Sequence, residues 1–416
     1  MPDTRSQRGP TPGAHVPALD GLRGVAVLLV LAFHFAHIDG EGGTVERALL
    51  GATRSGWAGV DLFFVLSGFL ITGILLDARG STGYFRAFYL RRVLRIFPLY
   101  YAYLAVLFFL LPVLFPALDV KRETQGWLWT YLGNILFARE GGFHASPYTG
   151  HFWSLAVEEQ FYLLWPFLVW MLPRRRLAVL CLGLVAGAFA LRFAIHRTTF
   201  NATAAYVLTP ARMDALAMGA LVAIAAREPA WWPRVRRSAP WVLAAAAAAV
   251  AAVWVGQGGF FGGDPAVQVW AFGPLAAGFA AALVLAVDGN GGSLLARGLA
   301  RPALRTAGKY SYGLYVLHYP VLLALEAAGF TSAMLAGRLG GRLAGVAAFV
   351  AVAGVVTFAG ALLSWNLLEK RFLRWKDAVP YGRPTGAGSE VFHGASPARQ
   401  VGPPRQPALL RSNDAG

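Results

Sequence analysis

Long apolar stretches recur from one end of this 416-residue chain to the other. About ten of them could each cross the roughly 30 Å hydrocarbon core of a bilayer as a helix. Because a lipid-exposed backbone must satisfy its own hydrogen bonds, we predict an all-α, multi-pass protein of the cell membrane. Only 14% of the residues are charged, against about 25% in soluble domains. The predicted spans are 20–38, 57–76, 95–116, 152–172, 177–195, 205–226, 240–256, 267–287, 312–329 and 343–367.

The net charge of +16 is distributed over the loops between these stretches and forms no single patch. Such a distribution argues against nucleic-acid binding and favours topology signals and contact with lipid headgroups. With both termini in the cytoplasm, the inner loops, counted from Arg79 to Lys376, hold 19 Lys and Arg residues and the outer loops hold 8. The 12-residue segment 127–138 would invert this pattern as a span, so we predict that it is re-entrant or interfacial.

We predict one membrane domain, residues 18–376, between disordered tails at 1–17 and 377–416, because the tails lack apolar periodicity. The single cysteine, Cys181, excludes an internal disulfide and a cysteine-based metal site. We expect Cys181 to be a small buried hydrophobe. We expect no metal, because His34, His151 and His318 lack a local ligand spacing.

Ionisable residues inside spans are energetically costly and are therefore candidates for function. Arg23 and His34 lie 11 residues apart in the first span, close to three helical turns, so both face one side about 16 Å apart. In its neutral form, His34 could act as a general base on a hydroxyl, or could form an interhelical hydrogen bond. Asp61 could orient an imidazole, or could be an acidic residue favoured by the dipole of its helix.

Further charged residues follow in the later spans. Arg92 and Arg95 share a helix face and could bind phosphate, or could be ordinary cytoplasmic positive charge. Glu158 and Glu159 are adjacent, so we expect one to face a cavity and the other to pair with an arginine such as Arg192 or Arg212. For Arg212, Asp214 and Glu369 we favour a structural role, including buried salt bridges.

The order of these motifs resembles the acyltransferase 3 family, whose members are integral-membrane O-acyltransferases acting on sugars and glycosylated natural products. The resemblance covers residues 17–375, and no single motif is decisive. The matching stretches are LDGLRGVAVLLVLAFHF, GVDLFFVLSGFLIT, RRVLRIFPLYY, HFWSLAVEEQFYLLWP, GKYSYGLYVLHYP and LLEKRF.

The resemblance implies an acyl-coenzyme A (acyl-CoA) donor and a hydroxyl acceptor, with acetyl as the commonest acyl group. Arginines would hold the phosphates of the donor, and the histidine would take the proton of the acceptor hydroxyl. Direct transfer and a covalent acyl-enzyme both stay open. The implied donor-binding residues are Arg23, Arg92 and Arg95, and the implied catalytic residues are His34, Asp61, Glu158 and Glu159, the last two within a motif that begins at Ser154 and Leu155.

The acceptor has two candidate classes, a cell-surface glycan and a glycosylated metabolite such as a macrolide. Many family members carry a secreted esterase-like domain after the last span, and we expect this chain to complete the transfer without one. A proton-coupled transporter is the main alternative, because intramembrane Arg, Glu and His residues would also suit it. We see no related halves of the kind that many transporters show.

Overall fold

The computed structural model describes residues 16–36, 43–116, 118–288 and 293–382, and within them the chain is helical without a β-strand. Residues 1–15 and 383–416, which contain most of the two predicted tails, lie outside the described residues. The helices are α1 Pro17–Phe35, α2 Thr44–Arg54, α3 Ala58–Asp77, α4 Tyr84–Ala105, α5 Leu111–Leu114, α6 Gln125–Trp129, α7 Gly133–Glu140, α8 Trp153–Met171, α9 Arg174–Thr198, α10 Ala202–Val207, α11 Thr209–Ala225, α12 Trp232–Gln257, α13 Pro265–Trp270, α14 Phe272–Val287, α15 Leu294–Leu299, α16 Pro302–Lys309, α17 Ser311–Ala327, α18 Ser332–Leu339, α19 Arg342–Ser364 and α20 Lys370–Asp377.

Among the described residues, seven helical segments are long and apolar enough to cross a membrane, which makes the chain a multi-pass membrane protein. The pair α17 and α18, bent by 58°, adds an eighth if it is one span. Two further predicted spans coincide with α8, where Glu158, Glu159 and Gln160 lower the hydropathy, and with α14, which has only 16 residues. The count of ten and the side of each terminus therefore stay predictions.

The segment 127–138 does not form one continuous helix. It is divided between α6 and α7, and Tyr131 lies between them with a φ of 56°, in the left-handed region. A left-handed residue ends a right-handed helix because the hydrogen-bond ladder cannot continue through it. The break agrees with the prediction that this segment is not a membrane span.

Helix α3 lies at the centre of the bundle and packs closely on α11. At Gly68 an added Cβ would lie 1.9 Å from the backbone oxygen of Leu216, and at Gly219 an added Cβ would lie 1.9 Å from that of Val65. Glycine is therefore required on both helices, and it lets the two backbones touch, as is common between membrane helices.

Candidate functional site

The conformation around Arg23 follows from two close backbone contacts between α1 and α16. A Cβ on Gly24 would lie 2.1 Å from the backbone oxygen of Leu304, and a Cβ on Gly308 would lie 1.8 Å from that of Asp20. Helix α16 can therefore lie directly on the first half of α1 only because both positions are glycine. Arg23 projects from the same turn of α1, and its guanidinium lies 3.9 Å from the Asp20 carboxylate.

Three of the predicted arginines meet in one cavity of about 110 Å³, which we call the arginine cavity. Arg23 comes from α1, and Arg92 and Arg95 come from α4. Glu158 and Glu159 of α8 line the same cavity. Among the described residues, Arg92 Nε and Glu159 Oε1 are buried side-chain atoms without a hydrogen-bond partner. Buried polar groups normally have partners, so these two atoms are available to a bound polar molecule.

The predicted pairing of one glutamate with a buried arginine is not formed, because both arginines have other partners. Arg192 lies 2.8 Å from the Asp214 carboxylate, and Arg212 lies 2.6 Å from that of Asp61. Arg212 and Asp214 therefore do form buried salt bridges, as predicted, but each with a different helix. Both glutamates are left facing the arginine cavity.

His34 lines a second cavity of about 400 Å³, which we call the histidine cavity. Its Nδ1 lies 2.9 Å from the backbone oxygen of Val30, one turn earlier in α1. A carbonyl oxygen can only accept a hydrogen bond, so Nδ1 carries the proton and Nε2 of the neutral ring holds the free electron pair. The walls of the histidine cavity are largely aromatic and include Trp57, Trp153 and Tyr206.

Two further histidines lie beside His34. The His318 ring centroid is 4.8 Å from that of His34, and the His151 centroid is 5.1 Å from that of His318. His318 Nδ1 donates to the backbone oxygen of Tyr315 at 2.6 Å, and His318 Nε2 has no partner among the described residues. No group of three or more His, Cys, Asp or Glu side chains in the described part of the chain is arranged to hold a metal ion.

No hydrogen bond joins the Asp61 carboxylate to the His34 ring in the described part of the chain. The predicted role of Asp61 in orienting that imidazole therefore has no geometric support. Its carboxylate accepts a hydrogen bond from Arg212 Nη2 at 2.6 Å, and both side chains are buried. The Arg212 guanidinium also lies 5.5 Å from the Trp153 ring centroid and 5.3 Å from that of Tyr206. Both rings line the histidine cavity, so the ion pair of Asp61 and Arg212 packs against the wall of that cavity.

The two cavities adjoin, because Val60 and Tyr315 line both of them. The Tyr315 hydroxyl donates to the backbone oxygen of His151 at 2.7 Å and is 2.5 Å from Ser154 Oγ. On the far side, Arg23 and Arg95 are shared between the arginine cavity and a third, more open cavity of about 480 Å³. The three cavities therefore lie in series, linked by shared lining residues, and His34 lines the last of them.

Three residues of the site, Tyr315, His151 and His318, were not predicted from the sequence. The stretch YGLYVLHYP did contain a signal, since Tyr315 and His318 are three residues apart on one helical face. His151 gave no such signal, because it precedes α8 in a short 3₁₀ segment and reaches the other histidines only through the fold.

The chain matches the model of the acyltransferase 3 family, described as an acyltransferase domain, over residues 16–365. YrhL of Bacillus subtilis, provisionally named a peptidoglycan O-acetyltransferase, is 30% identical over an alignment 334 residues long that covers 74% of this chain and 49% of that protein. The O-acetyltransferase OatA of Staphylococcus aureus is 29% identical over an alignment 347 residues long that covers 74% of this chain and 51% of OatA. The peptidoglycan O-acetyltransferase OatA of Listeria monocytogenes is 28% identical, with coverages of 74% and 49%.

The chain thus spans about half the length of these curated relatives. No solved structure matches it.

Proposed function

Since this chain belongs to the acyltransferase 3 family, we propose that it moves an acyl group, acetyl in the first instance, from acyl-CoA to a hydroxyl of a carbohydrate-containing acceptor. The observation that carries this proposal is the series of three cavities that share lining residues. The arginine cavity is lined by three arginines and two glutamates, so cations outnumber carboxylates there. The histidine cavity is lined by His34, whose Nε2 holds a free electron pair. A polyanionic donor and a hydroxyl acceptor need these two environments.

The arginine cavity suits the anionic part of the donor. Guanidinium groups form paired, charge-assisted hydrogen bonds with phosphate oxygens, and Arg23, Arg92 and Arg95 bring three such groups together. Arg92 Nε has no protein partner among the described residues and can donate to a ligand. Val60 and Tyr315 mark the place at which the thioester end of the donor would pass into the histidine cavity.

His34 is the proposed general base. Its Nε2 accepts the proton of the acceptor hydroxyl while the hydroxyl oxygen forms a bond to the thioester carbonyl carbon. The carbon–sulfur bond breaks, and the proton passes to the departing thiolate, so that free coenzyme A and an ester are formed. The hydrogen bond from Nδ1 to Val30 fixes the ring so that Nε2 is the reactive nitrogen.

A cell-wall glycan is the proposed acceptor class. The names of two relatives give peptidoglycan as the substrate of those proteins. The aromatic walls of the histidine cavity offer flat apolar faces for the CH faces of a sugar ring, and the cavity volume is within the range of small-ligand sites. The same comparisons do not favour the transporter interpretation.

The test is release of free thiol from acetyl-CoA by the purified protein in detergent, with peptidoglycan fragments and glycosylated macrolides as acceptors. We expect thiol release that depends on an acceptor, and a loss of about 100-fold or more in His34→Ala. His144→Ala is the matched control, since His144 is exposed and lines none of the three cavities. Absence of thiol release from folded wild type with every acceptor and acyl length would overturn the proposal.

A further inference from the structure

The third cavity contains cationic residues that the proposed chemistry does not yet use. We call it the entrance cavity, and it is lined by Arg23 and Arg95 together with Arg305 and Lys309 of α16. Asp20 is the single carboxylate among its lining residues, so four cations face one anion. Such an excess of positive charge around a concave space predicts an anionic ligand with several charges.

The backbone of α16 determines where these cations point. Arg305 and Lys309 are four residues apart and therefore lie on one face of the helix. The contact of Gly308 with the Asp20 backbone holds this face beside Arg23 on α1. Arg305 and Lys309 are exposed, so they form the outer rim, while the shared Arg23 and Arg95 lead inward to the arginine cavity.

Trp365 supplies a different kind of surface at the same cavity. It begins a π-helical turn, Trp365–Glu369, which interrupts the end of the α19 segment and is a feature often found at functional sites. Lys309 Nζ lies over one face of its ring, 5.2 Å from the ring centroid, and the side chain is half-buried. The opposite face of the indole can stack on a heteroaromatic base whose phosphates are bound by the neighbouring cations.

We propose that the entrance cavity binds the nucleotide end of the donor, an adenosine diphosphate that carries an additional 3′-phosphate. Trp365 stacks on the adenine, Arg305 and Lys309 bind the 3′-phosphate, and Arg23 and Arg95 receive the diphosphate at the boundary with the arginine cavity. This inference rests on the proposed function, because it takes acyl-CoA as the donor. It assigns Arg305, Lys309 and Trp365 to donor recognition, a role that none of the family-like motifs gave them.

The experiment compares acetyl-CoA with acetyl-dephospho-CoA, which lacks only the 3′-phosphate. We expect wild type to prefer acetyl-CoA by about tenfold or more in kcat/KM, since a hydrogen bond to a charged group is of that size. In Arg305→Ala and Lys309→Ala this preference should fall, and in the double variant it should approach one. Arg301→Ala, an exposed neighbour outside the cavity, should retain the wild-type preference.

A preference that persists unchanged in a folded double variant would overturn the inference. The phosphate of a lipid headgroup would be bound by the same cations. The assay is therefore repeated in nanodiscs of phosphatidylcholine with and without phosphatidylglycerol. If Arg305→Ala alters only the response to phosphatidylglycerol, the cavity binds lipid headgroups and the nucleotide assignment is wrong. Arg305→Lys should restore part of the preference, which separates charge recognition from a folding defect.

Failure of the proposed function would have a different signature. If wild type transferred no acyl group from either donor, binding of coenzyme A and of dephospho-coenzyme A would be compared by equilibrium dialysis. Tighter binding of coenzyme A, lost in the double variant, would support the nucleotide site even without transfer. Equal binding of both molecules to wild type would overturn it.

Discussion

The carboxylate of Asp61 contributes to stability through its partner on another helix. Asp61 and Arg212 are both almost fully buried and lie 2.6 Å apart. Removing one member of a buried ion pair leaves an uncompensated charge, which costs about 3–5 kcal/mol. We expect Asp61→Asn to lower the thermal unfolding midpoint in detergent strongly, while the protein that remains folded keeps most of its thiol release.

Two further variants separate this effect from a catalytic one. Asp77→Asn removes a carboxylate from the more exposed pair with Arg227 and should cost about 1 kcal/mol or less. The double variant Asp61→Asn with Arg212→Met removes both charges and should recover part of the lost stability. If Asp61→Asn left the unfolding midpoint unchanged but abolished thiol release, Asp61 would belong to the chemistry after all.

At the scale of elements, the contact of α16 with α1 holds the cationic rim in position. A Cβ at residue 308 would come within 1.8 Å of the backbone oxygen of Asp20, and a backbone cannot yield as a flexible side chain can. We expect Gly308→Ala to push α16 away from α1 and to raise the KM for acetyl-CoA about tenfold or more, because Arg23, Arg305 and Lys309 separate. The measurement is thiol release at varied acetyl-CoA concentrations.

Gly187→Ala is the matched control for this prediction. Gly187 lies within α9, and no atom would be within 4 Å of its added Cβ. Alanine is preferred to glycine in a helix by up to about 1 kcal/mol, so this variant should be as stable as wild type or more so. An unchanged KM in Gly308→Ala would mean that the close contact with α1 does not position the donor site.

At the scale of the whole molecule, local features of the site were predictable and long-range pairings were not. The positions of Arg23 and His34 on one helix follow from their spacing in a continuous apolar run, and Arg92 and Arg95 follow in the same way. The partner of Asp61 is 151 residues away, on a helix that also carries an aspartate, and composition does not distinguish the possible pairings.

The span count shows the same limit. Hydropathy identifies a membrane helix when the helix is long and apolar. In α8 the charged Glu158 and Glu159, which face the arginine cavity, lower the mean hydropathy. A helix whose polar residues are buried in the bundle therefore gives a weak signal in the sequence. The tertiary structure decides which face of it meets lipid and which face lines the cavity.

On our proposal, acyl transfer requires the thioester end of the donor to pass from the arginine cavity to His34. Val60 lines both cavities and so lies at the junction between them. We expect Val60→Phe to narrow the junction, so that coenzyme A still binds but transfer falls about 100-fold, because the thioester no longer reaches its reactive position. Equilibrium dialysis measures the binding, and thiol release measures the transfer. Val93→Phe, at an exposed position on α4, is the control for added bulk. Wild-type transfer by Val60→Phe would show that the donor does not cross at this junction, whereas loss of binding together with transfer would mean that the two cavities hold the donor as a single site.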